Sequence, residues 1–350
     1  MRPNFAAFLA ALAAALLAAS VASADVFNMQ GGQTSLTFVT VGNAGNAPDT
    51  TGLGSVGYTY SIGKYDVTAA QYTAFLNAVA TTSDPDGLYN ANMATGYAAC
   101  GISQAGGPGS YTYSAANGNF PVNYINWGDA ARFCNWLQNG QPTGPEGNGT
   151  TETGAYTLNW ATSDAALAAV IRNPNAVYCL PTENEWYKAA YYDPTLNSGA
   201  GGYWAYPTKS NTAPSAVAPA TPGGTVLSSN SANYDFVAST NLTAVGTYVN
   251  SPGPYGTFDQ GGLLFQWTDT PFTEPWGAGF DLANSSFESA SSELKSSNTI
   301  YSWSPGSSQY EFTGFRVAET PEPSTVCLLV TGAGVLLAMT RWRNRRQMGR

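Results

Sequence analysis

Residues 180–190 read LPTENEWYKAA, and the interpretation of the whole chain starts from this stretch. Pro181 ends the apolar run before it. Thr182 and Glu185 have the spacing of a capping box, in which each side chain accepts a hydrogen bond from the backbone N–H of the other residue. Trp186 and Ala190 then recur at helical spacing and share one face. The stretch therefore predicts a helix that begins after Thr182 and buries one side.

Glu183 and Glu185 lie two residues apart, beside a tryptophan, in a chain of which only 10% is charged. Two neighbouring carboxylates could serve as a general acid and base. The structural alternative is that Glu185 caps the helix and Glu183 lies in its first turn, where the helix dipole favours an anion. We favour this alternative, with both carboxylates ionised and exposed. Glu185→Ala is then expected to cost about 0.5–2 kcal/mol of stability.

Two further helices are predicted from similar signals. Thr68 and Gln71 form another capping box, which starts a helix at Ala69. Asn126 can cap a helix over residues 129–138. The other predicted elements are strands over residues 56–65 and 176–180, a short helix over 165–171, and irregular segments over 81–119 and 139–176. Together these elements predict an α+β fold that is rich in loops.

The composition excludes several classes of protein. The 350 residues include 38 Gly and 21 Pro, as expected for a loop-rich domain, and no histidine. Without histidine there is no Ser-His-Asp triad and no ordinary His-ligated zinc site, so a bound metal would be a hard cation held by oxygen. The net charge is −9, and five of the 13 basic residues lie in the last ten positions, which argues against nucleic acid as a partner.

The N-terminus has the pattern of a secretory signal peptide over residues 1–24. Arg2 precedes an apolar run, and Ala22 and Ala24 supply the small residues of a cleavage site. Cleavage is expected before Asp25. The alternative is a buried N-terminal helix, which fits the length and the flanking residues less well.

The C-terminus has an apolar run over residues 325–340, long enough for a single helix of about 24 Å. Arginines follow it directly and are expected to stay on the cytoplasmic side, so this run predicts a transmembrane helix that leaves the acidic body outside. The arginines concerned are Arg341, Arg343, Arg345 and Arg346.

The order Pro321, Glu322, Pro323, apolar helix and arginine cluster resembles the PEP-CTERM sorting signal of exosortase-bearing Gram-negative bacteria. The resemblance implies that exosortase-type machinery processes the tail and that the protein reaches the cell surface or an extracellular polymer. The alternative is a permanent single-span anchor.

Five segments of the body carry a second resemblance: IGKYDVTAAQYTAFLNAV, FPVNYINWGDAARFCNWL, YCLPTENEWYKAAYY, TAVGTYVNSPGPYGTFDQGGLLFQW and GFRVA. In this order they resemble the formylglycine-generating-enzyme, or sulfatase-modifying-factor, family. The resemblance implies a loop-rich variant of the C-type lectin fold. It divides the chain into a signal peptide (1–24), an N-terminal lead-in (25–57), a sulfatase-modifying-factor-like domain (58–320) and a sorting signal (321–350).

Active members of that family oxidise a substrate cysteine with a copper-bound cysteine pair near the C-terminus. The matching region here, residues 280–310, contains no cysteine. Without soft thiolates, Cu(I) has no evident site. The resemblance therefore implies a domain that has lost the family's catalysis, with copper not expected and no catalytic residue assigned. The four cysteines lie elsewhere, and the first three are expected to be buried or in a disulfide: Cys100, Cys134, Cys179 and Cys327.

One calcium motif of the family is altered to GLLFQW, with Leu263 and Gln266 in place of an asparagine and a glutamate. Losing both ligands should weaken calcium binding. A second family site could persist at Asn233, the Tyr234 carbonyl and Asn241. The alternative is that Asn233 is only a turn residue.

Arg316, in the closing Gly-Phe-Arg motif, also has two interpretations. We favour a buried arginine that pairs with an acidic residue over a ligand-binding arginine. Asp259 is expected to order a loop in a similar way.

We therefore predict an exported protein of the cell envelope, outer surface or extracellular matrix, with a binding or structural role. The first alternative is a copper-dependent oxidoreductase that converts protein cysteine to formylglycine. The second is a carbohydrate-binding module, because aromatic rings in the loops over 89–113 and 203–206 could stack on sugars. The expected partners are exosortase-type machinery, the membrane before processing, and extracellular polysaccharide or envelope proteins.

Overall fold

Helices of the protein are short and separated by long loops. The structure is a computed structural model that describes residues 36–274, 277–283, 285–298 and 300–320. In these ranges the α-helices are α1 (Ala69–Val79), α2 (Asn92–Thr95), α3 (Trp127–Gln138), α4 (Asp164–Ala168) and α5 (Glu183–Tyr191). Leu196–Gly199 form a turn in which Asn197 and Ser198 have left-handed backbone angles. Two 3-10 helices cover Ser291–Leu294 and Ser296–Asn298.

Each of the three longest helices begins with a capping box. The Thr68 side chain accepts from the backbone N–H of Gln71, as predicted. Thr182 does the same for Glu185 at the start of α5. Asn126 caps α3 with Asp129 as the third helical residue, so α3 begins two residues earlier than predicted. The caps satisfy backbone N–H groups that have no partner inside a helix.

Within the described residues, the strands form two four-stranded sheets and three short pairs. The first sheet has the order β1 (Phe38–Val41), β2 (Tyr60–Gly63), β14 (Ala318–Glu319) and β5 (Tyr178–Cys179). The second has the order β12 (Ile300–Ser304), β11 (Gly277–Ala283), β10 (Phe265–Glu274) and β13 (Thr313–Gly314). The pairs are β3 (Ile102–Ala105) with β4 (Thr112–Ala115), β6 (Tyr192–Asp193) with β7 (Gly202–Tyr203), and β8 (Ser215–Ala216) with β9 (Ser231–Ala232).

This mixture of separate helices and mainly antiparallel sheets confirms the predicted α+β class. Strand β1 lies within residues 25–57, so part of the predicted lead-in belongs to the first sheet. The β3–β4 hairpin and α2 lie inside residues 81–119, which had been predicted to be irregular.

The last described strand occupies the centre of the first sheet. In β14, Ala318 pairs with Ile62 on one side and with Cys179 on the other. Nearby, Phe315 packs against Phe133 of α3, with ring centroids 5.3 Å apart, and Phe133 packs against Phe75 of α1 at 5.4 Å. The C-terminal segment is therefore built into the core and not attached to its surface.

Both predicted end segments lie outside the described residues. This applies to the signal peptide with Ala22 and Ala24, to Cys327, to the apolar run 325–340, and to Pro321, Glu322, Pro323 and the arginine cluster. In the part of the chain that the structure describes, no helix is long and apolar enough to cross a membrane.

Candidate functional site

Glu185 is fully buried, which contradicts the expectation that it would be exposed. Its carboxylate accepts from the Thr182 backbone N–H at 2.7 Å, as a capping residue should. It also forms an ion pair with Arg172 at 3.3 Å and accepts from the Tyr58 hydroxyl. Both carboxylate oxygens thus have protein partners. The residue is a structural cap that also pairs with a partly exposed cation, and both of its carboxylate oxygens are occupied by protein groups.

Arg172 joins two carboxylates and a carbonyl group. Its Nε lies 2.7 Å from Asp269 of β10, and its Nη2 donates to the Leu180 carbonyl at 2.6 Å. Burial raises the pKa of Asp269 to about 6, and the charge of Arg172 opposes that rise. This ion cluster ties the loop before β5 to both α5 and β10. Sequence analysis missed this ion cluster because Arg172 lies in a segment whose apolar residues have no regular spacing.

Glu183 is half-buried, and its carboxyl group faces a different neighbour. Burial and the charge of Asp281 raise the pKa of Glu183 to about 7. The carboxylate that influences Glu183 is therefore on β11, in a hairpin that the sequence pattern did not predict. Sequence analysis expected Glu183 to be exposed, whereas the structure places it in a half-buried position. Neither of these carboxyl groups lines the largest surface cleft described below.

Arg316 is completely buried and confirms the predicted pairing with an acidic residue. Its Nη2 lies 3.0 Å from Asp66, and its Nε donates to the Gln266 side chain at 2.7 Å. It also donates to the backbone carbonyls of Gly63 and Phe258. Gln266, at the position where the resemblance implied a calcium-ligating glutamate, is therefore a hydrogen-bonding partner of the buried arginine.

Asp259 orders a loop, as predicted. Its Oδ2 accepts from the Gly246 backbone N–H at 2.8 Å, and its own backbone has a φ of +63°. Burial raises its pKa to about 6.

The structure brings together the three residues of the predicted calcium site, Asn233, Tyr234 and Asn241. Asn233 and Asn241 are hydrogen-bonded to each other. The Asn233 Nδ2 donates to the Asn241 carbonyl at 2.6 Å, and the Tyr234 carbonyl accepts from Val237 at 3.2 Å. Asn233 Oδ1 is buried and has no hydrogen-bond partner among the described residues. It lines a cavity of about 20 Å³, which is room for about one water molecule.

Calcium needs six to eight oxygen ligands, usually with carboxylates among them. The residues described here contain no group of three or more acidic, Cys or His side chains placed to hold a metal ion. The Asn233 site offers one available side-chain oxygen and fits calcium poorly. Calcium binding there stays a prediction.

The three cysteines in the described part of the chain are free and fully buried: Cys100, Cys134 and Cys179. Burial raises the pKa of every one of these thiols, and the neighbouring Cys179 adds to the rise in the pKa of Cys134. Cys179 lies on β5, directly beside β14 in the first sheet, and its thiol donates to the Ala318 carbonyl at 3.7 Å. The thiols are therefore neutral and shielded, whereas a soft-metal ligand or a nucleophile must be a thiolate.

Aromatic residues in the loops singled out for sugar binding mostly point inward. Tyr113 and Tyr206 are 5% and 9% exposed, and the half-buried Tyr203 donates to a backbone carbonyl. Tyr97 is the exception in these loops, at 54% exposed. Two other rings that sequence analysis did not select are equally exposed, Trp160 at 51% and Phe236 at 52%.

Trp160 borders a cleft of about 480 Å³ formed by residues 157–173. The segment contains the predicted short helix, which the structure places at Asp164–Ala168. Asn159 and Trp160 both adopt left-handed backbone conformations, with φ of +50° and +62°. A tryptophan in this conformation is uncommon, and no local sequence pattern signals it.

The capped helices, the two four-stranded sheets and the buried ion clusters define a loop-rich α+β domain. The profile of the family described as "Sulfatase-modifying factor enzyme 1-like domain" matches residues 20–321, so the chain belongs to this family. The predicted family resemblance is thereby confirmed. No match was found among curated proteins.

Several solved structures are similar to this chain at low sequence identity. Treponema denticola variable protein 1 is 17% identical, with a TM-score of 0.50 over 85% of this chain and 99% of that one. CarF is 19% identical, with a TM-score of 0.48 over 82% of this chain and 99% of that one. PvdO from Pseudomonas aeruginosa is 14% identical, with a TM-score of 0.44 over 85% of this chain and 98% of that one. Identities this low concern the fold alone.

Proposed function

We propose that this protein is an exported, surface- or matrix-directed binding protein whose sulfatase-modifying-factor-like domain does not catalyse formylglycine formation. The observation that carries the proposal is the state of the thiols. Residues 280–310 contain no cysteine, and the three cysteines of the described domain are fully buried. A copper-dependent oxidation of a substrate cysteine needs accessible soft ligands.

If the protein were a copper-dependent oxidoreductase, it would convert the cysteine of a sulfatase peptide to formylglycine. We expect the opposite result: purified protein with copper and reductant should leave a cysteine-containing sulfatase peptide unchanged. The serines of residues 280–310 are hard, protonated oxygen donors and poor Cu(I) ligands. Mass spectrometry of the peptide measures the result, with a protein-free incubation as the control. Conversion of the thiol to an aldehyde above that control would establish the rival function.

Export is part of the same proposal and rests on the sequence of the two ends. We expect deletion of residues 321–350 to release the protein in soluble form into the periplasm, because the tail carries the apolar run and the arginines. Fractionation of cells that express the full chain or the truncated chain measures this. The truncated protein reaching the surface polymer as efficiently as the full chain would show that the tail is not the sorting signal.

A carbohydrate ligand is the second candidate function. It is favoured by the exposed Trp160 beside the largest cleft described here, and not by the loops that the sequence had indicated.

A further inference from the structure

We propose that the cleft formed by residues 157–173 binds a neutral carbohydrate chain, with Trp160 as the stacking platform. This inference rests on the proposed binding function and names its ligand class. The cleft measures about 480 Å³, within the range of about 300–1,000 Å³ that is usual for small-molecule sites. It lies apart from the buried thiols and from the Asn233 site.

The lining of the cleft combines hydroxyl and amide groups with apolar surface. None of the described side chains that line it is charged. The polar lining residues are Thr157, Asn159, Thr162, Ser163 and Asn173. The Asn173 side-chain amide also donates to the Thr157 hydroxyl at 3.2 Å.

The backbone at Trp160 is held by two buried charged residues. Its backbone N–H donates to the carboxylate of Glu152, which is fully buried. Arg132 lies 2.7 Å from the same carboxylate and donates through Nη2 to the Ala161 carbonyl at 3.1 Å. The buried ion pair of Arg132 and Glu152 thus forms hydrogen bonds with the backbone of Trp160 and Ala161.

This anchoring holds the backbone in an unusual conformation. Residues other than glycine are uncommon in the left-handed region, and here two of them follow each other, Asn159 and Trp160. The result is an indole that is half exposed to solvent instead of filling the core and that is carried on a backbone held by hydrogen bonds. A backbone that is ordered before binding loses little conformational entropy when a ligand covers the ring.

The chemistry of the cleft selects the ligand. A sugar ring has an apolar face that can cover the indole and hydroxyl groups that can bond to threonine, serine and asparagine side chains. The absence of a cation in the described lining offers nothing to a phosphate or a uronic acid. The net charge of −9 repels anionic polymers further. A neutral polysaccharide segment is therefore the occupant that fits.

The test uses the full chain and a set of neutral oligosaccharides of glucose, mannose, galactose and N-acetylglucosamine, with oligogalacturonate as the anionic comparison. Binding is measured by glycan array and titration calorimetry. We expect binding to at least one neutral oligosaccharide and none to oligogalacturonate. Trp160→Ala should weaken binding about tenfold or more, and Trp160→Phe, which keeps a ring, should weaken it less.

Phe236→Ala is the matched control. Phe236 is equally exposed, at 52%, and also has a left-handed backbone, with φ of +54°, but it does not line the cleft. It should leave sugar binding unchanged. Circular dichroism of each variant separates loss of binding from loss of folding.

Three outcomes would overturn the proposal. They are no binding to any neutral oligosaccharide, equal effects of Trp160→Ala and Phe236→Ala, or a preference for the anionic polymer. Failure of the sugar-binding test would leave the proposed non-catalytic binding function in place. Conversion of the sulfatase peptide would instead contradict the proposed non-catalytic function, and it would not change the result of the sugar-binding test.

Discussion

Replacing Arg316 with methionine should lower the free energy of unfolding by about 3–5 kcal/mol, because the substitution leaves Asp66 as a buried charge without its partner. It also removes the donors to the Gly63 and Phe258 carbonyls. Burial raises the pKa of Asp66 and lowers that of Arg316, the directions that desolvation imposes on such a pair. The pair is therefore costly to break, although it gives little net stability over an apolar pair.

Urea denaturation followed by circular dichroism measures this loss. Lys209→Met is the control, because Lys209 forms a half-exposed ion pair with Asp193 at 3.9 Å and should cost less than about 1 kcal/mol. Adding Asp66→Leu to Arg316→Met should recover part of the loss by removing the stranded charge. If Arg316→Met and Lys209→Met had similar effects, the buried pair would not have the role assigned to it.

Glu185→Ala should cost about 3 kcal/mol or more, which is above the range expected from the cap alone. The substitution removes the cap of α5 and also leaves Arg172 without one of its two carboxylates. Arg172 is 18% exposed, so water compensates part of the loss and keeps the effect below that of Arg316→Met.

Glu183→Ala is the matched control in the same helical turn. Glu183 does not cap the helix, and the raised pKa of its half-buried carboxyl group indicates that its charge is not stabilised there. We expect a change within about 1 kcal/mol. Thermal and urea unfolding measure the loss of stability in the two variants. Equal losses would mean that Glu185 stabilises the protein only through its position in the first turn.

The local features of the fold were predictable from the sequence because their signals lie within a few residues. Thr68 with Gln71 and Thr182 with Glu185 form the boxes that the spacing predicts. The pairing of Arg316 was predictable in kind, since an arginine near a closing strand is seldom buried alone. The identity of Asp66 as its partner was not, because the two are far apart along the chain.

The features that were missed depend on contacts between distant segments. The long hairpin of β10 and β11 contains Pro271 and a register shift, which break the alternation that would reveal a strand. Arg172 and Trp160 lie in an irregular segment, where neither burial nor backbone conformation follows from spacing. The exposure of Trp160 follows from the buried Arg132 and Glu152 beneath it, and this arrangement exists only in the folded protein.

The central position of β14 has a consequence for the order in which the protein can be made. A chain that emerges from its N-terminus presents β2 and β5 long before the strand that lies between them. Until residues 318–319 arrive, both neighbours have an unpaired edge, which is open to aggregation. The first sheet therefore cannot close until residues 318–319 are available, however early its other strands have been synthesised.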